Sequence, residues 1–185
     1  TYLVLPQSMG VISASARELL LENLKDYQSL LIGPGLGRDK EVQRFVQEFL
    51  AIRERGRTRQ RGRMGFRGEE TPAVEETDAE VKWPALVIDA DALNALAEVD
   101  EWWKQIPAGS VLTPHPGEMA RLAKREVSDI QADRIDAAQQ AAREWNQVVL
   151  LKGAYTVIAE PGGEVYVVPF ANPNLATAGT GDVLG

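Results

Sequence analysis

Four short apolar runs, residues 29–32, 85–88, 110–112 and 148–151, each end in a polar turn built from glycine, proline, aspartate or lysine. Runs this short and continuous suit strands buried on both faces, the condition of a parallel sheet lined by helices. Parallel strands need long crossovers, and the stretches between the runs carry helical spacing. Ser15-Ala16-Arg17-Glu18 has capping-box spacing and opens a helix to about residue 25. A second helix, over 39–51, sets Val42, Phe45, Val46 and Phe49 on one face, and short helices are expected over 92–99 and 118–123. Ser128-Asp129-Ile130-Gln131 is another capping box by spacing, ahead of one longer helix with Ile135, Ala138, Ala142 and Trp145 as its buried stripe. Residues 155–159 and 165–168 read as a hairpin turning at Pro161-Gly162-Gly163. The expected fold class is α/β, a three-layer α/β/α sandwich with a mostly parallel central sheet.

Composition narrows the function classes. At 185 residues and 44% hydrophobic content the chain can bury one sizeable core, so one domain is expected. A net charge of −7 argues against general attraction to nucleic acid or membrane surfaces. With no cysteine there is no disulfide framework, iron–sulfur cluster or thiolate metal site, which fits a reducing, cytoplasmic setting. No run approaches the roughly 20 apolar residues of a membrane span. Thr1 is not an initiator methionine and Gly185 falls inside a motif, so the expectation is a piece of a longer protein, truncated at both ends.

Residues 53–82 stand apart. Arg53, Arg55, Arg57, Arg59, Arg61, Arg63 and Arg67 precede Glu69, Glu70, Glu75, Glu76, Asp78 and Glu80, with almost no apolar residue among them. Such a stretch cannot offset its ordering entropy by burial, so a solvated, disordered insertion on the helix side of the sheet is expected. A nucleic-acid arm would need interleaved aromatics, of which there is only Phe66, and is opposed by the acidic half.

In an open parallel sheet, ligands bind beyond the carboxyl ends of the strands. The polar motifs fall there one after another: Gly33-Pro34-Gly35-Leu36-Gly37, Asp89-Ala90-Asp91, Thr113-Pro114-His115-Pro116-Gly117-Glu118, and Lys152-Gly153. The glycine turn alone lacks both the Rossmann and the Walker A spacing and also suits a plain strand-to-helix turn. Asp89 and Asp91, two apart, could share a face and hold a hydrated magnesium ion or a substrate hydroxyl; alternatively Asp91 caps the helix bearing Asn94. His115, the only histidine, is held between two prolines, which suits positioning a substrate better than shuttling protons. Lys152 can neutralise a phosphate, and Gly153 can admit an adenine or ribose closely. Near the end of the sequence, Gly179-Thr180-Gly181-Asp182 combines a backbone that can point several N–H groups at one spot with a carboxylate beside it. That is the pairing of a phosphate nest with a general base.

Taken together, IGPGLG (32–37), VIDADALN (87–94), LTPHPGE (112–118), LKGAYT (151–156) and NPNLATAGTGDVL (172–184) resemble the ADP-dependent NAD(P)H-hydrate dehydratases. These are carbohydrate-kinase-like repair enzymes of the ribokinase superfamily. The resemblance implies a ribokinase-like fold. The implied activity phosphorylates the hydroxyl of a hydrated nicotinamide ring from ADP, or ATP in eukaryotic relatives, then expels phosphate to restore NADH or NADPH. It implies Asp182 as the catalytic base, with the Gly179, Thr180 and Gly181 amides holding the transferring charge. It further implies nucleotide binding by Lys152, Gly153, Ala154, Tyr155, Thr156 and Gly181, hydrate binding by Gly35, Gly37, His115 and Asp182, and magnesium as cofactor. Asp89, Asp91, Asn94, Glu118 and Asn172 are further candidates. A fused or partner NAD(P)H-hydrate epimerase and a homo-oligomeric full-length protein are also implied. Ala171 departs from the glycine usual before Asn-Pro, the 53–82 segment is longer than usual, and the family's domain extends further at both ends, so the piece alone is expected to be poorly active or inactive.

Two other enzyme or binding classes stay open at this point. A hydroxymethylpyrimidine or hydroxyethylthiazole kinase of the same superfamily shares the glycine-rich aspartate turn but is not expected to carry LTPHPGE after VIDADALN. A non-catalytic nucleotide-binding module is opposed by the intact Asp182.

Overall fold

The computed structural model describes residues 2–50 and 82–172. In chain order these form β1 (Gln7–Ser8), β2 (Val11–Ile12), α1 (Ala16–Leu24), β3 (Ser29–Ile32), α2 (Lys40–Phe49), β4 (Ala85–Ile88) and α3 (Ala90–Ala97). A 3-10 turn (Trp102–Lys104) then leads to β5 (Val111–Leu112), α4 (Pro116–Ala123), α5 (Val127–Ala132), α6 (Arg134–Trp145), β6 (Val148–Leu151), β7 (Val157–Ala159) and β8 (Val165–Val167). The strands β3 to β8 make one six-stranded sheet in strict chain order, while β1 and β2 pair as a separate short ribbon. The β3–β4, β4–β5 and β5–β6 pairings are parallel, and the β6–β7 and β7–β8 pairings are antiparallel. The expected α/β class with a mostly parallel sheet is the observed one.

Register puts the buried residues of successive strands side by side. Ile32 pairs with Ile88, Ile88 with Leu112, Leu112 with Val149, and Val149 with Ala159, so one face carries a continuous apolar row. All five of these residues are buried. The other face is less covered among the described residues: Leu31 is 41% exposed, and Val87, Val111, Val148 and Ile158 are half-buried. Equal burial of both faces was expected from the unbroken apolar runs, and the alternation of burial along β4, β6 and β7 departs from it.

The helices form for identifiable reasons. Helix α2 buries Val42, Phe45, Val46 and Phe49, with the Phe45 and Phe49 rings 5.6 Å apart and Trp83 set edge-on to Phe49 at 5.4 Å. Helix α6 buries Ala137, Ala138, Ala141, Ala142 and Trp145, and the small residues let it lie close on β6 and β7. Trp145 meets Trp102 at 5.0 Å between ring centroids.

Both serine-led capping boxes are absent. Ser15 is itself in a helical conformation and its hydroxyl lies 2.6 Å from the Ser13 hydroxyl, so it caps nothing. Ser128 sits inside α5, because Glu126 already has the extended backbone of an N-cap. The long helix expected behind it is two helices, broken at Asp133, whose side chain accepts from the Asp136 N–H at 2.9 Å and starts α6 afresh. Ile135 therefore falls in a first turn and is 50% exposed rather than buried. The expectations for residues 53–81 and for Gly179, Thr180, Gly181 and Asp182 lie outside the described residues.

Candidate active site

Backbone hydrogen bonds tie the strand ends together. The Asp89 N–H donates to Ile32 O (3.0 Å), Thr113 N–H to Ile88 O (3.1 Å), and Lys152 N–H to Pro114 O (2.8 Å). The four sequence motifs thus stand abreast at the carboxyl edge of the parallel strands, where the topology places ligands.

At the β3 end, Gly33 is buried with φ +133° and runs against the next motif: a Cβ on it would lie 1.8 Å from the Asp89 carbonyl oxygen. The turn closes with Leu36 N–H to Gly33 O at 3.3 Å. Gly35 (φ +72°) faces open space. The Gly37 N–H donates to Asp91 Oδ2 at 2.9 Å, and Arg38 Nε lies 3.5 Å from Asp91 Oδ1. Asp91 therefore clamps the glycine turn.

Asp89 and Asp91 do not share a face. Extended backbone ends at Asp89, because Ala90 takes φ +48° and opens α3, leaving Asp91 in the first helical turn. Asp89, not Asp91, is the N-cap, with Oδ1 accepting from the Ala90 N–H at 2.8 Å. The same Oδ1 accepts from Lys152 Nζ at 2.6 Å, although the two residues are 63 positions apart. Asp89 is 1% exposed and its Oδ2 is buried with no partner among the described residues. A buried carboxylate needs compensation, and the Lys152 ammonium, 16% exposed, supplies it while keeping two further N–H donors. Asn94 is committed to joining helices, accepting from Arg121 Nε at 2.9 Å and donating to Ala90 O at 3.2 Å.

His115 is the N-cap of α4, in the role usually taken by serine or aspartate. Its Nδ1 accepts from the N–H groups of Gly117 (2.9 Å) and Glu118 (3.3 Å), while the buried Glu118 accepts the His115 N–H at 2.8 Å. With Nδ1 an acceptor, the proton of the neutral ring is on Nε2, half exposed and 3.4 Å from Glu118 Oε1. Burial pushes the imidazole below its ordinary value; Arg121 and Lys152 push the same way, while Glu118 and Asp89 oppose. The ring is then a neutral Nε2–H donor at pH 7. The folded state holds this proton less tightly than the unfolded chain. Stability therefore rises with pH between the folded value and the ordinary ~6.5, and is lost as pH falls through that window. NMR titration should give a His115 midpoint below 6.5; a midpoint above it contradicts the cap geometry.

The turn after β6 has Gly153 at φ +147° and Tyr155 at φ +54°, with Thr156 Oγ1 donating to Gly153 O at 3.0 Å. Ala154 and Tyr155 are exposed, as is Asn172. Arg134, the first residue of α6, was not legible as a site residue, since an arginine behind an N-cap normally reads as solvated surface. Its guanidinium reaches under this turn, with Nη2 donating to Leu151 O (3.0 Å) and Lys152 O (3.1 Å) and Nη1 to Ala154 O. Burial lowers its pKa.

Among the described residues no three His, Asp or Glu side chains converge as a metal-ligand set. What the edge does offer is donors: the Lys152 ammonium and the His115 Nε2–H, beside the positive dipole ends of the capped helices α3 and α4. These suit an anionic, oxygen-rich ligand.

A family model described as NAD(P)H-hydrate dehydratase matches residues 64–185. The bifunctional NAD(P)H-hydrate repair enzyme Nnr of Moorella thermoacetica is 44% identical over 175 residues, 95% of this chain; the chain spans 28% of that relative's length. Among solved structures, the ADP/ATP-dependent NAD(P)H-hydrate dehydratase of Bacillus subtilis, co-crystallised with ATP and Mg2+, aligns with a TM-score of 0.58 at 26% identity, over 94% of this chain and 57% of that one. A ribokinase-like superfamily protein of Enterococcus faecalis shares the fold, with a TM-score of 0.64 at 24% identity over 94% of this chain and 50% of its own. The matched residues carry three of the strand-end motifs and the aspartate turn in order, and the chain belongs to the NAD(P)H-hydrate dehydratase family.

Proposed function

We propose that the protein repairs hydrated nicotinamide nucleotides, using ADP to convert (S)-NAD(P)H hydrate to NAD(P)H, AMP and phosphate. Asp182 takes the proton of the ring hydroxyl as that oxygen attacks the terminal phosphoryl group of ADP and AMP leaves. Phosphate then departs together with a ring proton, and the double bond is restored. The observation that carries this reading is the donor array at the strand ends, with the Lys152 ammonium anchored on buried Asp89. The two free N–H bonds of that ammonium meet phosphate oxygens, and the Gly179, Thr180 and Gly181 amides hold the charge that builds on the transferring group. The neutral His115 Nε2–H and the turn at Gly35 and Gly37 orient the hydrate. Magnesium, when bound with the nucleotide, would supply charge neutralisation at the phosphates, since no metal-ligand cluster is found among the described residues. Asp89 Oδ2, buried and without a partner among the described residues, fits an N–H or water donor from that assembly.

The ADP/ATP-dependent name of the Bacillus subtilis neighbour supports the co-substrate class. The word bifunctional in the Moorella relative's name supports a second activity beside this one, which the resemblance assigns to an epimerase, fused or partnered. No helix of the described residues is long and apolar enough to cross a membrane. The proposed setting is the cytoplasm, as a homo-oligomer.

The test uses the full-length protein with NADH hydrate, ADP and Mg2+. The expected result is recovery of NADH absorbance with one AMP and one phosphate per NADH. No recovery, recovery without ADP, or phosphorylation of a hydroxymethylpyrimidine or hydroxyethylthiazole instead overturns the reading.

A further inference from the structure

The turn that leaves β6 is organised from below by a cation with no carboxylate partner within ion-pair reach among the described residues. Arg134 gives its guanidinium to three main-chain carbonyls, those of Leu151, Lys152 and Ala154, and its Nε is buried without a partner. Gly153 lies directly over it: a Cβ there would come within 2.8 Å of Nη2. A guanidinium placed this way costs desolvation that acidic partners would normally offset, so the arrangement calls for a reason beyond surface packing.

Peptide geometry supplies one. No peptide bond among the described residues is cis, so each C=O and the following N–H point in opposite directions. Turning the carbonyls of Leu151, Lys152 and Ala154 down onto Arg134 turns the N–H groups of Lys152, Gly153 and Tyr155 the other way. The first of these is accounted for, donating to Pro114 O at 2.8 Å and so marking that direction as the β5 side of the strand-end edge. The Gly153 and Tyr155 N–H groups leave their peptide units on the same side. The left-handed φ of Tyr155, +54°, and the +147° of Gly153 are the kind of alternation that makes an anion-binding concavity of backbone N–H groups.

We propose that Arg134 is a positioning residue for the nucleotide: by fixing three carbonyls on one side of the turn, it presents the Gly153 and Tyr155 amides, next to the Lys152 ammonium, to the phosphates of ADP. The inference rests on the dehydratase reading for its ligand but not for its test, since nucleotide binding is measurable without turnover.

The experiment compares Arg134→Met and Arg134→Lys with the parent full-length protein, by calorimetric titration with ADP and by steady-state kinetics. Arg134→Met should weaken ADP binding and raise the KM for ADP by roughly tenfold or more, as expected for losing charge-assisted hydrogen bonds that hold a binding loop. The KM for NADH hydrate should change less than about twofold on the same scale. Arg134→Lys, which keeps the charge and some of the donors, should fall between the two. A purely structural role would instead lower melting temperature with both KM values unmoved or moved together, and that outcome overturns the proposal. If Arg134→Met does not fold, unchanged ADP affinity in Arg134→Lys overturns it equally. A parent protein that binds ADP but does not dehydrate the hydrate defeats the functional reading alone; one that binds no ADP defeats both.

Discussion

Gly33→Ala should melt about 10 °C or more below the parent protein, or fail to accumulate in soluble form. The added Cβ would sit 1.8 Å from the Asp89 carbonyl oxygen, a main-chain atom that also accepts the Ala92 N–H at 3.1 Å and so starts α3. No side-chain rotation relieves that contact. Either β3 parts from β4, where Asp89 N–H donates to Ile32 O at 3.0 Å, or α3 tilts off the sheet. The φ of +133° adds strain for any L side chain. Overpacking at about 1–3 kcal/mol or more and backbone strain at about 1–3 kcal/mol together take a large share of the roughly 5–15 kcal/mol that holds a domain folded. Gly35→Ala is the control, since φ +72° strains it while nothing lies within 4 Å. It should lose only a few degrees by thermal melting, and equal losses in the two variants would show that φ, not the contact, governs Gly33.

Asp182→Asn in the full-length protein should lower kcat by roughly 10²–10⁴ while leaving ADP affinity within a few-fold, the usual worth of a positioned general base. The amide keeps the size and one oxygen of the carboxylate but cannot take up the hydroxyl proton as the oxygen attacks. On the proposed reading, a loss confined to turnover separates proton removal by Asp182 from nucleotide binding, which is assigned to main-chain N–H groups and to Lys152. Single-turnover measurement with NADH hydrate and ADP checks it. Turnover within tenfold of the parent would assign proton removal to another group.

The strands were legible because an apolar run between polar turns has few other uses. All four parallel strands lie within a residue of where the runs place them, and the hairpin of β7 and β8 follows Pro161-Gly162-Gly163. Helix starts were less legible. The box spacings at Ser15 and Ser128 are met without the extended backbone a cap requires, whereas Asp89 and His115 cap α3 and α4 three residues before the expected starts at 92 and 118. The start of α4 is marked by Pro116 at its first position and Glu118 at its third, while the histidine itself is not a usual capping residue. For the site, Asp89 and Lys152 were each legible as strand-end residues, but their ion pair depends on the β4–β5–β6 order, which no local spacing encodes. Arg134 was illegible because its partners are carbonyls, which every residue has.

Chain order in the sheet gives the ligand-binding edge a direction. β3, β4, β5 and β6 lie side by side in the order they are made, so the glycine turn and the lysine turn stand about 14 Å apart, three strand spacings of ~4.8 Å, with His115 between them. On the proposed reading, the phosphates held at Lys152 and the group resting on Gly35 lie toward opposite ends of that edge. Position along the polypeptide is here an address along the edge, and a phosphoryl transfer of the proposed kind would run from the β6 end toward the β3 end.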